Sequence, residues 1–390
     1  MTALYLLEPA EPGAAWAPFT GVRPLAELRA GAWLIRERWA GMLGGLDVTA
    51  ILGTHVLDFA DTGSPPVHPP TPVDGPAIVA ASWFAPAGLP LELNPDTRRL
   101  VNEGVTVGWV VPEGEQWGGA EDAAGREQEI EGMLLHGAYD LVTALEHLLL
   151  PDCGDFLAEA SDPIPDAVTI IGDPGEVVLL GAMIEPGVIF DTRQGVIVVE
   201  HGAQVRAGAR LEGPLYIGAG TIIAGGAIRH SAIGPVCRVH GEVSSSVFLG
   251  YANKSHDGFL GHSVLGHWVN LGAGTITSNL KNTYGEITLA VGGERLPTGR
   301  TLLGSLIGDH AKTAIGTLLP TGCVVGAGAN LFGAGQVPKS VPAMAWGLGD
   351  QRVDADRLVA VAGRVMPRRA VEMTPEREQS LRAIHARLAR

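Results

Sequence analysis

Side chains able to do acid–base and binding chemistry stand close together in a glycine-rich part of the chain. His256 carries an imidazole, the side chain best suited to take a proton near pH 7. Asn270, fourteen residues on, can donate and accept hydrogen bonds through its amide. An anionic substrate needs cationic donors, and the candidates are Arg229, Arg238, Lys254 and Lys281.

The residues that must position these groups repeat with a period of six. An aliphatic or similarly small residue recurs at Val199, Val205, Leu211, Ile217 and Ile223, at Ile233 and Val239, at Leu265 and Leu271, and at Ile307, Thr313, Leu319, Val325, Leu331 and Val337. This period is typical of a parallel β-helix, in which the aliphatic side chain fills the bore. Gly218–Gly220, Gly272–Gly274 and Gly326–Gly328 predict corners, because a positive φ and close stacking both favour glycine.

The repeat is interrupted over residues 243–265 and again over 277–306. Loops that leave a stiff scaffold can carry polar residues that the repeat itself cannot hold. We therefore expect two functional loops, which would carry Lys254, His256, Asn279, Lys281, Asn282 and Tyr284.

The amino-terminal third differs in texture from the repeat. Short β-type runs at Ala77–Ala81 and Val105–Val111 accompany a helical stretch over 24–42, which predicts an α/β domain over 1–124. The apolar spacing of Gly125–Leu150 predicts an amphipathic helix ended by Pro151, within a helical connector over 125–162.

The β-helix is expected to span residues 163–345. The segment 346–390 predicts one or two helices that cap the solenoid, since Thr374 and Pro375 form a helix-start signal. Cys153, Cys237 and Cys323 are widely spaced, which favours reduced, buried thiols over a disulfide frame or a zinc cluster.

Composition limits the classes of partner. Of the 390 residues 54 are Gly, about twice the usual share of ~7%. The net charge of −15 repels phosphate backbones and anionic lipid, so neither nucleic acid nor a membrane is an expected partner. The apolar runs are too short for a membrane helix, and no basic segment precedes an apolar stretch at the start. We expect a cytoplasmic protein.

One stretch of the repeat resembles a known family closely. Gly250, Lys254-Ser255-His256 and Phe259-Leu260-Gly261 are followed by residues 270–279, Asn-Leu-Gly-Ala-Gly-Thr-Ile-Thr-Ser-Asn. This pattern resembles the acetyltransferase half of the bifunctional N-acetylglucosamine-1-phosphate uridylyltransferase and glucosamine-1-phosphate acetyltransferase.

The resemblance implies a left-handed β-helix that forms trimers and binds acetyl-CoA in a groove between chains. It also implies that His256 is the base, that Asn270 and Asn279 contact the sugar, and that Ala273 lies beside the thioester of CoA. The family's basic and tyrosyl contacts to the sugar phosphate would fall near Gly226, Ser244, Phe259 and Gly285, where this chain has other residue types.

The start of the chain resembles a sugar nucleotidyltransferase more weakly, over residues 17–35. Arg23-Pro24-Leu25 is similar to the end of that signature, which makes Arg23 and Arg29 candidates for binding a nucleotide or phosphate. Residues 8–13, with two acids and two prolines, replace the glycine loop, and Ser82-Trp83 stands where transferases place an Asp that holds Mg²⁺. This region is either a shortened relative that has lost catalysis or a nucleotidyltransferase that uses Mg²⁺.

These observations predict an enzyme of the UDP-N-acetylglucosamine type of nucleotide-sugar biosynthesis, which transfers acetyl from acetyl-CoA to an amino-sugar phosphate with His256 as general base. Two alternatives stay open. One is a non-catalytic trimer that binds a sugar nucleotide or serves as a scaffold. The other is a zinc hydratase, because His262 and His267 have the spacing of the His pair in β-helix carbonic anhydrases.

Overall fold

The computed structural model describes residues 2–88, 90–120, 125–333 and 336–389. Its amino-terminal region is built on short strands: β1 (Ala3–Leu7), β2 (Arg29–Ala30), β3 (Trp33–Leu34), β4 (Val48–Leu52), β5 (Val67–His68), β6 (Val73–Asp74), β7 (Ala77–Ala81), β8 (Phe84–Pro86), β9 (Thr97–Asn102), β10 (Val105–Val111), β11 (Gln116–Trp117), β12 (Arg126–Glu129) and β13 (Gly132–Leu134). Seven of them form one sheet in the order β12-β9-β10-β7-β1-β4-β5. The predicted strands at Ala77–Ala81 and Val105–Val111 are confirmed as β7 and β10.

Helices complete this region and follow the solenoid. They are α1 (Ile35–Met42), α2 (Asp140–Asp155), α3 (Ala355–Val365) and α4 (Pro375–Leu388), with 3₁₀ turns at Ala14–Trp16, Leu25–Glu27, Phe156–Ala158, Pro174–Glu176 and Met366–Arg369. The predicted helix over 24–42 is wrong for its first half. Gly31 has φ +64°, outside the helical region, and turns the chain between the antiparallel strands β2 and β3.

The predicted helix over Gly125–Leu150 is also wrong for its first half. Gly125 and Gly132 have φ +100° and +156°, and the residues after each pair as strands with β9 and β8. The helix α2 begins at Asp140 and continues past Pro151 to Asp155. The predicted boundary between the α/β domain over 1–124 and the helical connector over 125–162 adjoins residues 121–124, which lie outside the described residues.

The predicted parallel β-helix is confirmed. Each coil contributes a strand to three flat parallel sheets, which we name faces 1, 2 and 3. Face 1 contains β14 (Thr169–Ile171), β17 (Ile189–Asp191), β20 (Ala209–Glu212), β23 (Gly226–Arg229), β26 (Glu242–Ser244) and β29 (Phe259–Gly261). Face 2 contains β15 (Val177–Leu179), β18 (Ile197–Val199), β21 (Leu215–Ile217), β24 (Ala232–Ile233), β27 (Val247–Phe248), β30 (Val264–Leu265), β34 (Ser305–Ile307), β37 (Cys323–Val325) and β39 (Ser340–Val341).

Face 3 contains β16 (Met183–Ile184), β19 (Gln204–Val205), β22 (Ile222–Ile223), β25 (Arg238–Val239) and β28 (Asn253–Lys254). Bridges at Asn270 extend it to β35 (Lys312–Thr313) and β38 (Asn330–Leu331). The paired strands β31 (Ile276–Thr277) and β36 (Leu318–Leu319) follow β29.

The aliphatic residues of the six-residue period fill the bore as predicted, in one buried cluster. The corners also follow the prediction. Gly274 has φ +70°, and a Cβ at Gly272 would lie 2.5 Å from the carbonyl carbon of Ala314 in the next coil. The second glycine of each triplet therefore takes a left-handed conformation that glycine adopts without strain, and Gly272 is required by the stacking of coils.

The two interruptions of the repeat have different origins. Over 243–265 the solenoid continues without a loop, because Phe248, Lys254 and Leu260 take bore positions at steps of five and six residues. The expected functional loop there is wrong. Over 277–306 the chain does leave the coil, as the hairpin β32 (Thr288–Val291) and β33 (Glu294–Pro297), and the guanidinium of Arg300 hydrogen-bonds to Thr143 on α2.

The amino-terminal region packs on the outer side of face 2. Val178, Val198 and Tyr216 of that face share one hydrophobic cluster with Leu141 and Leu145 of α2. The carboxy-terminal helices α3 and α4 pack on the corner between faces 2 and 3 in the last coils, and on residues of the amino-terminal region. The hydroxyl of Thr374 accepts a hydrogen bond from the backbone N–H of Arg377, so Thr374 is the cap of α4 as predicted.

Candidate active site

The candidate base His256 lies on the corner that joins face 3 to face 1, between β28 and β29. Its side chain is exposed and hydrogen-bonds to no other residue in the part of the chain that the structure describes. The preceding strand anchors this corner through Lys254. The ammonium of Lys254 is buried and donates to the carbonyl oxygens of His240 at 2.8 Å and His256 at 2.7 Å. Burial lowers the pKa of Lys254 to about 8.

Lys254 was a predicted substrate contact, and the geometry gives it another task. It pairs in register with Val239, so it occupies a position of the bore that an aliphatic residue usually fills. Its hydrogen bonds to two carbonyl oxygens fix the backbone at His240, just before Gly241, and at His256 itself. Lys254 therefore positions His256 and does not face the surface.

The Gly272–Gly274 corner stacks directly on the His256 corner. The N–H of Gly274 donates to the carbonyl oxygen of Asp257 at 3.1 Å, and the carbonyl oxygen of Ala273 accepts from Gly316 at 2.7 Å. The N–H of Ala273 has no protein partner among the described residues. A free N–H at a corner next to an exposed imidazole is an arrangement that can stabilise an oxyanion while a base removes a proton.

Face 1 leads from His256 to the predicted sugar contacts at its other corner. Phe259 lies over Gly261, where a Cβ would come within 2.3 Å of its ring. The amide nitrogen of Asn279, at the far corner of face 1, lies 2.8 Å from Nδ1 of His262. Arg229 pairs with Glu242 at 2.8 Å, and the ammonium of Lys281 hydrogen-bonds to the carbonyl oxygen of Glu286.

Face 3 leads from His256 in the opposite direction. Ser255 donates to the amide oxygen of Asn253 at 2.6 Å, and Asn253 donates to the amide oxygen of Asn270 at 2.8 Å. Arg238, in the same column, donates to backbone carbonyl oxygens, including that of Cys237 at 2.8 Å. The predicted site residues therefore flank the His256 corner on two faces.

Three cations of this neighbourhood escaped the sequence analysis: Lys312, Arg368 and Arg369. They line a cavity with Asn270 and Asn253. A signal for Lys312 does exist in the sequence. Like Arg238, it directly precedes a bore position, so it belongs to the outward column of face 3. The two arginines lie at the end of a 3₁₀ turn in another segment, and no local pattern indicates that they meet face 3.

The two arginines predicted to bind phosphate in the amino-terminal region are held by internal partners. Arg23 is 1% exposed and donates to Asp309 of the solenoid and to Asp61, at 2.9 Å in each case. Arg29 is buried, hydrogen-bonds to the carbonyl oxygen of Ala32 and stacks over the ring of Tyr216. Both join the region to the solenoid, Arg23 through Asp309 and Arg29 through Tyr216.

A carboxylate of the protein occupies the nearby backbone donors. The N–H groups of Leu25 and Ala26 donate to Glu8, at 2.7 and 3.1 Å, and His55 approaches the same carboxylate at 3.1 Å. Ser82, which follows β7, is fully buried, and its hydroxyl has no partner among the described residues.

The histidine pair of the zinc alternative does not converge. His262 contacts Asn279, and burial lowers its pKa to about 4. The imidazole of His267 approaches Asp61 at 2.7 Å, at the interface with the amino-terminal region. Across the described ranges, no group of three His, Cys, Asp or Glu side chains is placed to hold a metal ion.

The three cysteines are free and buried, as predicted, and burial raises the pKa of each thiol. Within the same described residues, no helix has the length and apolar character needed to cross a membrane.

The fold and this corner define a class: an α/β region of nucleotidyltransferase type followed by a hexapeptide solenoid with a histidine at a coil corner. Residues 7–155 match the family of sugar nucleotidyl transferases. The predicted resemblance is confirmed, since the chain is similar to bifunctional GlmU proteins over part of its length.

One of its relatives carries two activities in its name. It is 35% identical over 100 residues to a bifunctional sugar-1-phosphate nucleotidylyltransferase/acetyltransferase of Sulfurisphaera tokodaii, a match that covers 26% of this chain and 25% of the relative. It is 32% identical over 172 residues to the bifunctional protein GlmU of Jannaschia sp., covering 43% and 33%. The chain thus spans a third or less of the length of these curated relatives.

Proposed function

We propose that the solenoid transfers an acetyl group from acetyl-CoA to the amine of an amino-sugar phosphate or a nucleotide sugar, as part of nucleotide-sugar biosynthesis of the UDP-N-acetylglucosamine type. The observation that carries this proposal is the exposed imidazole of His256 beside the unpartnered N–H of Ala273. The names of the relatives, which include an acetyltransferase, support the same chemistry.

In this proposal His256 takes a proton from the amine as its nitrogen attacks the thioester carbonyl carbon. The N–H of Ala273 donates to the oxyanion that forms. A carbon–nitrogen bond is made, the carbon–sulfur bond breaks, and CoA leaves as its thiol after taking up a proton. Asn270 and Asn279 would contact the sugar, and Lys254 would keep His256 in place. Acetyl-CoA is a co-substrate in this scheme.

The same proposal includes a homotrimer. The His256 corner is an open edge in one chain, and Ile276, Ile315 and Leu318 in the adjoining coils are 43%, 80% and 50% exposed. Exposed apolar side chains grouped beside a binding edge favour a protein contact, and a second copy would both cover them and close the edge. Sedimentation of the parent and of Ile315→Glu tests this: we expect a trimer that the charge disrupts.

A second candidate is favoured by the amino-terminal region alone. Arg23, Arg29 and the donors bound by Glu8 have internal partners, which supports a region that binds or scaffolds without nucleotidyl transfer. Mg²⁺ would be required only if this region turns over. A purely scaffolding protein would bind no acetyl-CoA, so acetyl-CoA binding separates the two candidates. The cytoplasmic location stays part of the proposal.

The test is release of the CoA thiol from acetyl-CoA in the presence of glucosamine 1-phosphate and a panel of other amino-sugar phosphates. We expect one sugar to support release and His256→Ala to lose about 10²–10⁴ of the rate, since it removes a general base. His201→Ala is the matched control, because His201 is also exposed at a coil corner. Release that is absent with every sugar, or equal in His256→Ala, contradicts the assignment.

A further inference from the structure

A cavity of about 270 Å³ lies between face 3 and the turn that follows α3. Asn253, Asn270 and Lys312 line it on the solenoid side, and Arg368 and Arg369 line it on the other. Tyr251 and Trp268, stacked with ring centroids 4.5 Å apart, form one wall. We propose that this cavity is an anion site that binds a phosphate ester. The existence of the site does not depend on acyl transfer, but the choice of ligand rests on the proposed function.

The charges around the cavity are all of one sign. Arg238, on face 3, is close to Arg369. In the ranges that the structure covers, no carboxylate lies within ion-pair distance of Arg238, Lys312, Arg368 or Arg369. Arginines on face 1 behave differently, since Arg210 pairs with Glu212 at 2.6 Å. In a chain with a net charge of −15, a group of cations without carboxylate partners forms a local positive surface that attracts an anion.

Several donors in this cavity are unused. The Nε of Arg369 is buried and has no hydrogen-bond partner. Lys312 donates to one acceptor, the carbonyl oxygen of His310 at 2.8 Å, although an ammonium carries three donors. A phosphate ester offers several acceptor oxygens and at least one negative charge, so it can satisfy a guanidinium and an ammonium at the same time.

In the free protein, the surroundings of these cations disfavour their charged forms. Burial lowers the pKa of Lys312 to about 8, and burial together with Arg368 lowers the pKa of Arg369. The pKa of Arg238 is lowered by burial and by Arg369. A bound anion would oppose these shifts, because a nearby negative charge favours the charged form of a base.

The cavity adjoins the proposed catalytic corner. Asn253 lines it and accepts from Ser255, the residue directly before His256. His256 is the third residue after Asn253, so their Cα atoms lie within about 11 Å of each other. A ligand anchored by phosphate in the cavity can therefore extend along the solenoid to His256. Both proposed substrates carry phosphate, and the experiment must tell them apart.

The test is equilibrium binding of CoA, 3′-dephospho-CoA, glucosamine 1-phosphate and glucosamine to the full chain by calorimetry. Arg369→Gln and Lys312→Gln remove one charged donor each. We expect each to weaken binding of at least one phosphate compound by about tenfold to hundredfold. Arg364→Gln and Lys339→Gln are matched controls outside the cavity and should change binding less than twofold. Arg368 is exposed, so Arg368→Glu should fold even if a variant at a more buried position does not, and it should weaken phosphate binding in the same way.

The pattern of loss identifies the ligand. If CoA is weakened but 3′-dephospho-CoA already binds poorly to the parent, the site takes the 3′-phosphate. If glucosamine 1-phosphate alone is weakened, it takes the sugar phosphate. The inference is overturned if all three cavity variants bind every phosphate compound within twofold of the parent, even where acetyl transfer is active. Weakened phosphate binding without any acetyl transfer would keep the site and reject the proposed function.

Discussion

The two halves of this molecule differ at the groups that their predicted chemistry would use. In the amino-terminal region Glu8 binds the N–H groups of Leu25 and Ala26, and two carboxylates bind Arg23, so these predicted phosphate donors have internal partners. On the solenoid, beside face 3, His256 is exposed and the Nε of Arg369 has no partner. A donor that already has a protein partner is not available to a ligand, whereas an unpartnered one is. This difference is the basis of our proposal that acetyl transfer takes place at the solenoid.

The largest effect is expected where the two halves meet. Asp309→Ala leaves the buried guanidinium of Arg23 with one carboxylate, and breaking a buried pair costs about 3–5 kcal/mol in the free energy of unfolding. Urea unfolding measures this. Asp96→Ala, whose carboxylate is 82% exposed and 4.0 Å from Arg126, should cost under about 1 kcal/mol. Equal costs for the two variants would show that Arg23 does not hold the halves together.

His310, at the same interface, should make stability depend on pH. Burial lowers its pKa to about 3, below the usual ~6.5. The unfolded chain therefore binds a proton that the folded chain does not, and stability falls as pH decreases from about 6.5 toward 3, by up to about 1.4 kcal/mol per pH unit. Comparison of the parent with His310→Phe between pH 6.5 and 4.5 should show a difference of about 1–3 kcal/mol that His201→Phe does not. Parallel profiles for parent and His310→Phe would contradict this.

On the solenoid, Lys254→Met tests positioning against substrate binding. The substitution keeps the chain in the bore but leaves the carbonyl oxygens of His240 and His256 without the ammonium. We expect kcat to fall about tenfold with KM for the sugar unchanged, since a tenfold loss corresponds to about 1.4 kcal/mol. Lys339→Met is the exposed control. A raised KM with unchanged kcat would instead restore Lys254 as a substrate contact, as the sequence predicted.

The smallest effect is expected at Glu8. Glu8→Gln keeps an acceptor for the backbone donors but removes the charge, which should cost about 1 kcal/mol of unfolding free energy. Thermal unfolding measures it against Glu11→Gln, at an exposed position. A large gain of pyrophosphate-linked turnover in Glu8→Gln would show that this region is a suppressed nucleotidyltransferase, and would remove the contrast between the halves.

The features that could be read from the sequence are those that one coil determines by itself. The aliphatic period predicts the bore, and Gly274 predicts its corner, because both depend on neighbours in the chain. Partners from distant segments could not be predicted. Asp309 is 286 residues from Arg23, so phosphate binding was the reasonable expectation for that arginine. The burial of Lys254 could not be predicted for a related reason, since every residue has a carbonyl oxygen and the sequence does not show which ones accept its hydrogen bonds.

The proposed contrast is tested most directly by assaying two products on one sample. Release of the CoA thiol reports acetyl transfer at the solenoid, and release of pyrophosphate from a nucleoside triphosphate with a sugar phosphate and Mg²⁺ reports nucleotidyl transfer. We predict thiol release that His256→Ala reduces by about 10²–10⁴, with no pyrophosphate above background. Pyrophosphate release without thiol release would contradict the assignment of chemistry to the solenoid.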